Sequence, residues 1–299
     1  MEITKQLDID PQHEQILTSH SILNILNLLQ FNFLRLSDLL NDEKDLLPLY
    51  GSVQELAALV SKKRVGEQES KRIRGLYSHV LQQVHSAIEE VPEHGRMQAE
   101  AFFSSIKQII EVLHIRLDEL ERMQAAGTDV WIAYLPDELH EDLRAFFRAV
   151  ELNSQGAYRI VDNIALKDDR SYFIDLSFHA TSSGKIYMPL LVKDVFRDVI
   201  ANARKYTDPG GNILAGVFQD TERLKLVVED NGRGIPTESI ENVVDFGVRA
   251  GNAVHKTSYG GGFGLTKAYY LTRKFGGRMW IESEVGHFTR VKITIPNQR

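Results

Sequence analysis

Leu224-Lys225-Leu226-Val227-Val228-Glu229-Asp230-Asn231-Gly232-Arg233-Gly234-Ile235-Pro236 is the stretch from which the fold is read. Leu224 to Glu229 alternates and is rich in branched residues, which predicts a strand. The strand delivers Asp230 into a Gly-x-Gly turn at the edge of a sheet. Glycine has no Cβ, so such a turn can lie close against a flat ligand. Taken alone, an Asp-x-Gly-x-Gly pattern fits a plain hairpin turn better.

Two further blocks flank it. Upstream lies Asp198-Val199-Ile200-Ala201-Asn202-Ala203-Arg204-Lys205-Tyr206-Thr207. Downstream lies Gly260-Gly261-Gly262-Phe263-Gly264-Leu265, followed by a helical pattern. In this order and spacing the blocks resemble the N, G1 and G2 boxes of the Bergerat-fold (GHKL) ATPases. They are most similar to those of the catalytic domain of sensor histidine kinases. The resemblance runs over about residues 190–296.

The chain has 299 residues, for which two domains are the natural expectation. Hydrophobic residues make up 43% and charged residues 25%, as in a globular protein. A net charge of -6 gives no footprint for nucleic acid. With no cysteine there is neither a disulfide framework nor a Cys-based metal site. No signal-peptide pattern is found, and polar residues break the apolar stretches short of about 18 residues, so no membrane span is expected. The cytoplasm is the expected location.

Glycine divides the chain, with five in residues 1–150 and sixteen in 151–299. The first half reads as helices. One runs from Pro11 to Leu40, with a polar line of His13, His20, Asn24 and Asn27 on one side. Ser52-Val53-Gln54-Glu55 reads as a capping box opening a helix that breaks near Gly66. Ile73, Tyr77, Val84 and Ile88 mark another, ended by Pro92. A third carries Phe102 to Leu120 and stops near Gly127, and a fourth follows Leu135-Pro136. The second half predicts strands at Tyr172–Phe178, Ile213–Phe218, Leu224–Glu229, Met279–Ser283 and Thr289–Ile295. It also predicts helices from Met188 to Tyr206 and from Gly264 to about Phe275. The fold class is α+β: an N-terminal helical bundle followed by a Bergerat-fold α/β sandwich, a mixed sheet with helices on one face. The domains read as a helical, dimerising phosphoacceptor domain over 1–130, a connecting helix over 131–153 and an ATP-binding domain over 154–299.

No GxxxxGK[ST] occurs, which excludes the P-loop mode of nucleotide binding. The resemblance implies another. In it Asp230 accepts a hydrogen bond from the adenine amino group of ATP, and Gly232 and Gly234 keep the pocket floor open. Asn202 holds the Mg²⁺ that bridges the phosphates, a hard cation that uses few protein ligands. Lys205 reaches the phosphates and Tyr206 lies near the nucleotide, although both also fit a solvated helix end. Gly262-Phe263-Gly264-Leu265 opens a helix whose N–H groups suit an anion. Val244-Asp245-Phe246 loosely matches the family's F box, and residues 246–261, with Arg249 and Lys256, form the lid. Asp198 stands where histidine kinases usually have Asn; a Mg²⁺ contact, a general base and an ordinary helix carboxylate all remain open for it.

A histidine kinase needs an accessible phosphoacceptor, and Ser19-His20-Ser21-Ile22-Leu23-Asn24 resembles its H box. The resemblance implies that His20 takes the phosphoryl group. Asn24, one turn on, then positions the water that dephosphorylates a response regulator. Ser21 replaces the usual acid after the histidine, which implies slow autophosphorylation. A polar residue in a bundle seam is the alternative for His20. The expected partners are a response regulator receiver domain, a second copy of the chain in a homodimer, and a separate sensor protein. The competing expectations are a GHKL serine kinase of the anti-sigma type and a non-enzymatic phosphotransfer or docking protein.

Overall fold

The computed structural model describes residues 1–40, 47–61, 67–89, 91, 93–127, 129–154, 156–181, 183–248, 250–251 and 262–297. Gly66, Pro92, Arg249, Lys256, Gly260 and Gly261 lie outside the described residues. Two compact units emerge. One joins Met1–Thr18, Thr128–Phe147 and Ser154–Arg299; the other joins Ser19–Gly127 and Arg148–Asn153.

The helical unit is built from α1 (Pro11–Leu40, from Ser19 onward), α2 (Leu47–Ser61), α3 (Glu67–Glu89) and α4 (Glu93–Ala126). Its core takes Leu26 and Phe33 from α1, Leu56 from α2, Tyr77 from α3, and Ile106 and Leu113 from α4. Burying each such side chain stabilises the unit by ~1.5–3 kcal/mol. Four helices of one chain thus share a core without a second copy. Ser52 is buried in the second turn of α2, so Ser52-Val53-Gln54-Glu55 is not a capping box.

The other unit carries a seven-stranded sheet in the order β1-β8-β9-β7-β6-β4-β3. These are β1 (Glu2–Ile3), β3 (Arg159–Val161), β4 (Ser171–His179), β6 (Asn212–Gln219), β7 (Arg223–Asp230), β8 (Arg278–Glu284) and β9 (Phe288–Pro296). The β3–β4 and β4–β6 pairs are parallel, and the remaining pairs, β6–β7 among them, are antiparallel. The helices α6 (Leu190–Tyr206) and α7 (Gly264–Lys274) bury Val195, Phe196, Val199 and Ile200, and Ala268 and Leu271. The strand period of two sends Leu224, Leu226 and Val228 of β7 into the core, and Lys225, Val227 and Glu229 away from it. Asp230 is the next inward position.

Three boundaries differ from the sequence reading. β2 (Trp131–Tyr134) pairs antiparallel with β5 (Ile186–Pro189), so Met188 and Pro189 end a strand and α6 starts at Leu190. Residues 131–147 are not a free connector. Asp142 of α5 (Pro136–Asn153) is ion-paired with Arg197 of α6 and lies 3.5 Å from Lys193 Nζ. Pairing and charge together tie this stretch to the sheet unit. Met1–Thr18 also leaves the helical domain, because β1 extends the sheet beside β8.

Candidate functional site

Asp230 closes β7 with only 6% of its surface exposed. Its Oδ1 accepts from the Gly232 N–H at 3.0 Å and from the Thr207 hydroxyl at 3.4 Å. Among the described residues both hydrogen bonds fall on Oδ1, which leaves Oδ2 available as an acceptor. Burial pushes the carboxyl from 3.8 up to about 6, against the pull of these two donors. Thr289 of β9 lies directly across the sheet from Asp230.

The two glycines of the turn serve the chain's own backbone. A Cβ on Gly232 would stand 2.4 Å from the Tyr206 carbonyl oxygen and 2.8 Å from the Thr207 hydroxyl. Gly234 has φ +67°, and a Cβ there would meet the Glu284 carbonyl oxygen at 2.1 Å. A side chain at either place would push the turn off α6 or off the β8–β9 hairpin. The turn is held besides by the Arg233 N–H donating to Tyr206 O at 3.1 Å and the Ile235 N–H donating to Ser283 Oγ at 2.7 Å.

Asn202 and Gly264 come together. A Cβ on Gly264 would lie 2.4 Å from Asn202 Nδ2, so only glycine lets the start of α7 approach α6 so closely. The Asn202 amide makes no hydrogen bond among the described residues, which fits a ligand-facing role. Phe263 precedes the helix and Leu265 is half-buried in its first turn. Gly262 takes φ +79°. Lys205 lies in the last turn of α6 with its ammonium 5.1 Å from the Tyr206 ring centre, and both side chains are half-buried.

Asp198 turns out to be engaged. Lys267 Nζ donates to Asp198 Oδ2 at 2.7 Å and also to the Asp194 carboxylate. Lys267 has no exposed surface. The Lys267 ammonium thus occupies Oδ2 of Asp198. No sequence signal pointed to Lys267 or Asp194. Thr207 could have been singled out, because it directly follows Tyr206 in the quoted block.

His20 and Asn24 lie in the helical unit. Asn24 Nδ2 is 3.1 Å from His20 Nε2, as their one-turn spacing predicts. Ser21 Oγ accepts from Arg116 Nη2 at 2.7 Å, and Arg116 is paired with Glu119, both buried.

Residues 188–299 match the family described as histidine kinase-, DNA gyrase B- and HSP90-like ATPase. They form a domain of that family, and an ATPase domain implies ATP binding. Among named relatives, the adaptive-response sensory kinase SasA of Synechococcus sp. (strain JA-3-3Ab) is 27% identical over 208 residues, 69% of this chain and 48% of that protein. The sensor histidine kinase WalK of Bacillus subtilis (strain 168) is 33% identical over 107 residues, 35% of this chain and 18% of that protein. The solved catalytic domain of the histidine kinase ThkA is 18% identical, with 56% of this chain and 97% of that one covered at a TM-score of 0.39. The chain spans less than half the length of either named relative. Among the described residues no helix is long and apolar enough to cross a membrane.

The raised Asp230 carboxyl has a stability consequence. Between about pH 4 and pH 6 the folded chain holds a proton here that the unfolded chain has lost. This group's contribution therefore falls as pH rises through about 6, and the charged form costs stability at pH 7. Asp230→Asn keeps the Oδ1 acceptor and removes the charge. We expect the variant to be more stable than wild type at pH 7.5 by up to roughly 3 kcal/mol, at ~1.4 kcal/mol per pKa unit. The gap should narrow toward pH 4.5. Urea unfolding of both proteins at the two pH values measures it, and a gap independent of pH would show that the carboxyl is unperturbed.

Proposed function

We propose that this chain is the core of a two-component histidine kinase. ATP binds the 188–299 domain, His20 takes the γ-phosphoryl group, and an aspartate on a response regulator receives it. The observation that carries the reading is the contact of His20 with Asn24, on helices joined to a domain of an ATPase family. An amide N–H can only donate, so with this amide orientation the neutral imidazole keeps its lone pair on Nε2. That lone pair forms the phosphorus–nitrogen bond while the bond from the γ-phosphorus to ADP breaks, and ADP leaves with the electron pair. The receiver carboxylate then displaces the imidazole. The chain's part is mainly positioning and charge neutralisation.

Asp230 Oδ2 is the acceptor for the adenine amino group, and Asn202 offers its amide oxygen to Mg²⁺. When bound there, the cation would supply charge neutralisation to the phosphates. Lys205 stands near enough to the same helix end to serve as a point charge. The proposed partners are a receiver domain, a sensor protein and a second copy of the chain. The four-helix core within one chain means that a homodimer is not needed to complete the bundle.

Incubation with γ-labelled ATP tests the reading. Label that is stable in base and lost in acid marks phosphohistidine. Acid-stable label would transfer the chain to the serine kinases. Adenine recognition has its own test. Asp230→Asn replaces an acceptor by a donor facing the adenine amino group, so ATP affinity should fall by at least about tenfold, from ~1.5–3 kcal/mol for a charged hydrogen bond. Equal calorimetric affinity in wild type and variant would remove Asp230 from the adenine site.

A further inference from the structure

The first eighteen residues group with the ATPase-family domain, and their contacts follow a path along it. β1 lies beside β8 with Ile3 opposite Met279, and Ile3 is buried. The Tyr269 hydroxyl of α7 donates to the Lys5 carbonyl oxygen at 2.7 Å. Lys5 Nζ reaches Asp245 Oδ2 at 2.5 Å and Asn242 Oδ1 at 3.2 Å. The backbone oxygen of Asp245 in turn accepts from the Thr266 hydroxyl of α7 at 2.9 Å.

The segment then opens α1, and the opening is chemically specified. Asp10 precedes Pro11, and the Asp10 carboxylate accepts the His13 N–H at 2.7 Å. That is an aspartate N-cap with proline at the first helical position. The cap fixes the first turn, which places the His13 ring 4.3 Å from Phe246, centre to centre. Phe246 lies 4.5 Å from Phe263. Phe263 immediately precedes Gly264, the residue that backs onto Asn202. One turn of helix from the beginning of the chain thus ends, through two rings, at the start of α7. Glu14 adds an ion pair to Lys274 at 3.0 Å.

We propose that residues 1–14 are a working part of the nucleotide site, with His13 a positioning residue. The His13 ring holds Phe246 against Phe263, and Phe263 sets the backbone from which α7 begins beside Asn202. Lys5 fixes the same stretch from its other side, through Asp245. The inference rests on the reading that the 188–299 domain binds ATP. It assigns a role in that binding to residues nearly two hundred positions away in the chain, where the family match does not extend.

The test is ADP binding to the full chain by calorimetry, alongside thermal unfolding. His13→Ala should weaken ADP binding about three- to tenfold, the scale of one aromatic contact. His13→Phe keeps a ring at the position and should restore affinity to within about twofold of wild type. A purely structural role would lower the unfolding temperature of His13→Ala without changing its affinity at 20 °C. Lys5→Met loosens the same segment at Asp245 and should also weaken ADP binding, which keeps the test open if His13→Ala folds poorly. Undiminished ADP affinity in His13→Ala beside a binding wild type overturns this proposal alone. A wild-type chain that binds no ADP overturns the nucleotide reading and this proposal with it.

Discussion

Lys267→Met is expected to lower the stability of the sheet unit by about 3–5 kcal/mol, the cost of leaving a buried charge without its partner. Lys267 has no exposed surface, and its ammonium serves two carboxylates on α6, Asp194 and Asp198. These lie one helical turn apart, with their side chains 4% and 17% exposed. Methionine fills a similar volume, so packing changes little. What remains is a pair of carboxylates that have lost the Lys267 ammonium, one almost wholly removed from water. The wild-type arrangement need not be more stable than an apolar one, because desolvation offsets much of the attraction within a buried ion pair. The double variant Asp194→Leu with Lys267→Met should therefore recover most of the loss, since Asp198 retains some access to water. Urea unfolding of the single and double variants measures both. A single variant as stable as wild type would mean that one of the two aspartates is protonated in the folded chain.

The sheet unit was legible in the sequence wherever an element was long or strictly periodic. β7 is the clearest case. The sequence reading puts Asp230 in the turn that follows this strand; the structure adds that it continues the inward run of Leu224, Leu226 and Val228. α6 was legible except at its start, where Met188 and Pro189 resemble a first helical turn. Only the pairing of Pro189 with Trp131 makes them a strand, and that partner is far away in sequence. β1 and β3, of two and three residues, are too short to show any period. The Lys267–Asp194 pair was invisible for a related reason. Each residue alone reads as a solvated helix charge, and 73 residues separate them, so only the packing of α7 on α6 reveals their burial. His13 was legible as a member of a polar line on α1, but the line is divided: His13 faces Phe246 in the sheet unit, while His20 and Asn24 belong to the helical unit.

The absence of an acid after His20 also reads differently with the neighbours of Ser21 in view. The resemblance implies slow autophosphorylation where Ser21 stands in place of the usual acid. Position 21 faces Arg116, whose guanidinium donates to Ser21 Oγ and is paired with buried Glu119. A carboxylate placed there would form an ion pair with Arg116 and have its pKa lowered, making it a poorer base. Glu119 of α4 is linked to Ser21 through the Arg116 guanidinium.

His20→Gln should abolish acid-labile label completely, the largest effect expected of any single substitution in this chain. Glutamine retains length and hydrogen-bonding capacity, but its amide nitrogen has no nucleophilic lone pair, so no phosphorus–nitrogen bond forms. The fold should tolerate the change, because His20 is half-buried and its partner Asn24 lies on the exposed side of the same helix. Nucleotide binding should be unaffected, since the residues proposed for it lie in the other unit, and calorimetric ADP affinity equal to wild type is the control for folding. Asn24→Ala separates the two halves of the proposed chemistry. It removes an N–H that lies 3.1 Å from Nε2 but leaves the lone pair, so label should still form. Dephosphorylation of the receiver domain should slow, because the amide that would hold the attacking water is gone. If His20→Gln keeps full acid-labile label, the phosphoacceptor is another histidine and the contact with Asn24 is only a seam within the bundle. If it keeps label that survives acid, the acceptor is a hydroxyl, and the ATPase-family domain serves a serine kinase.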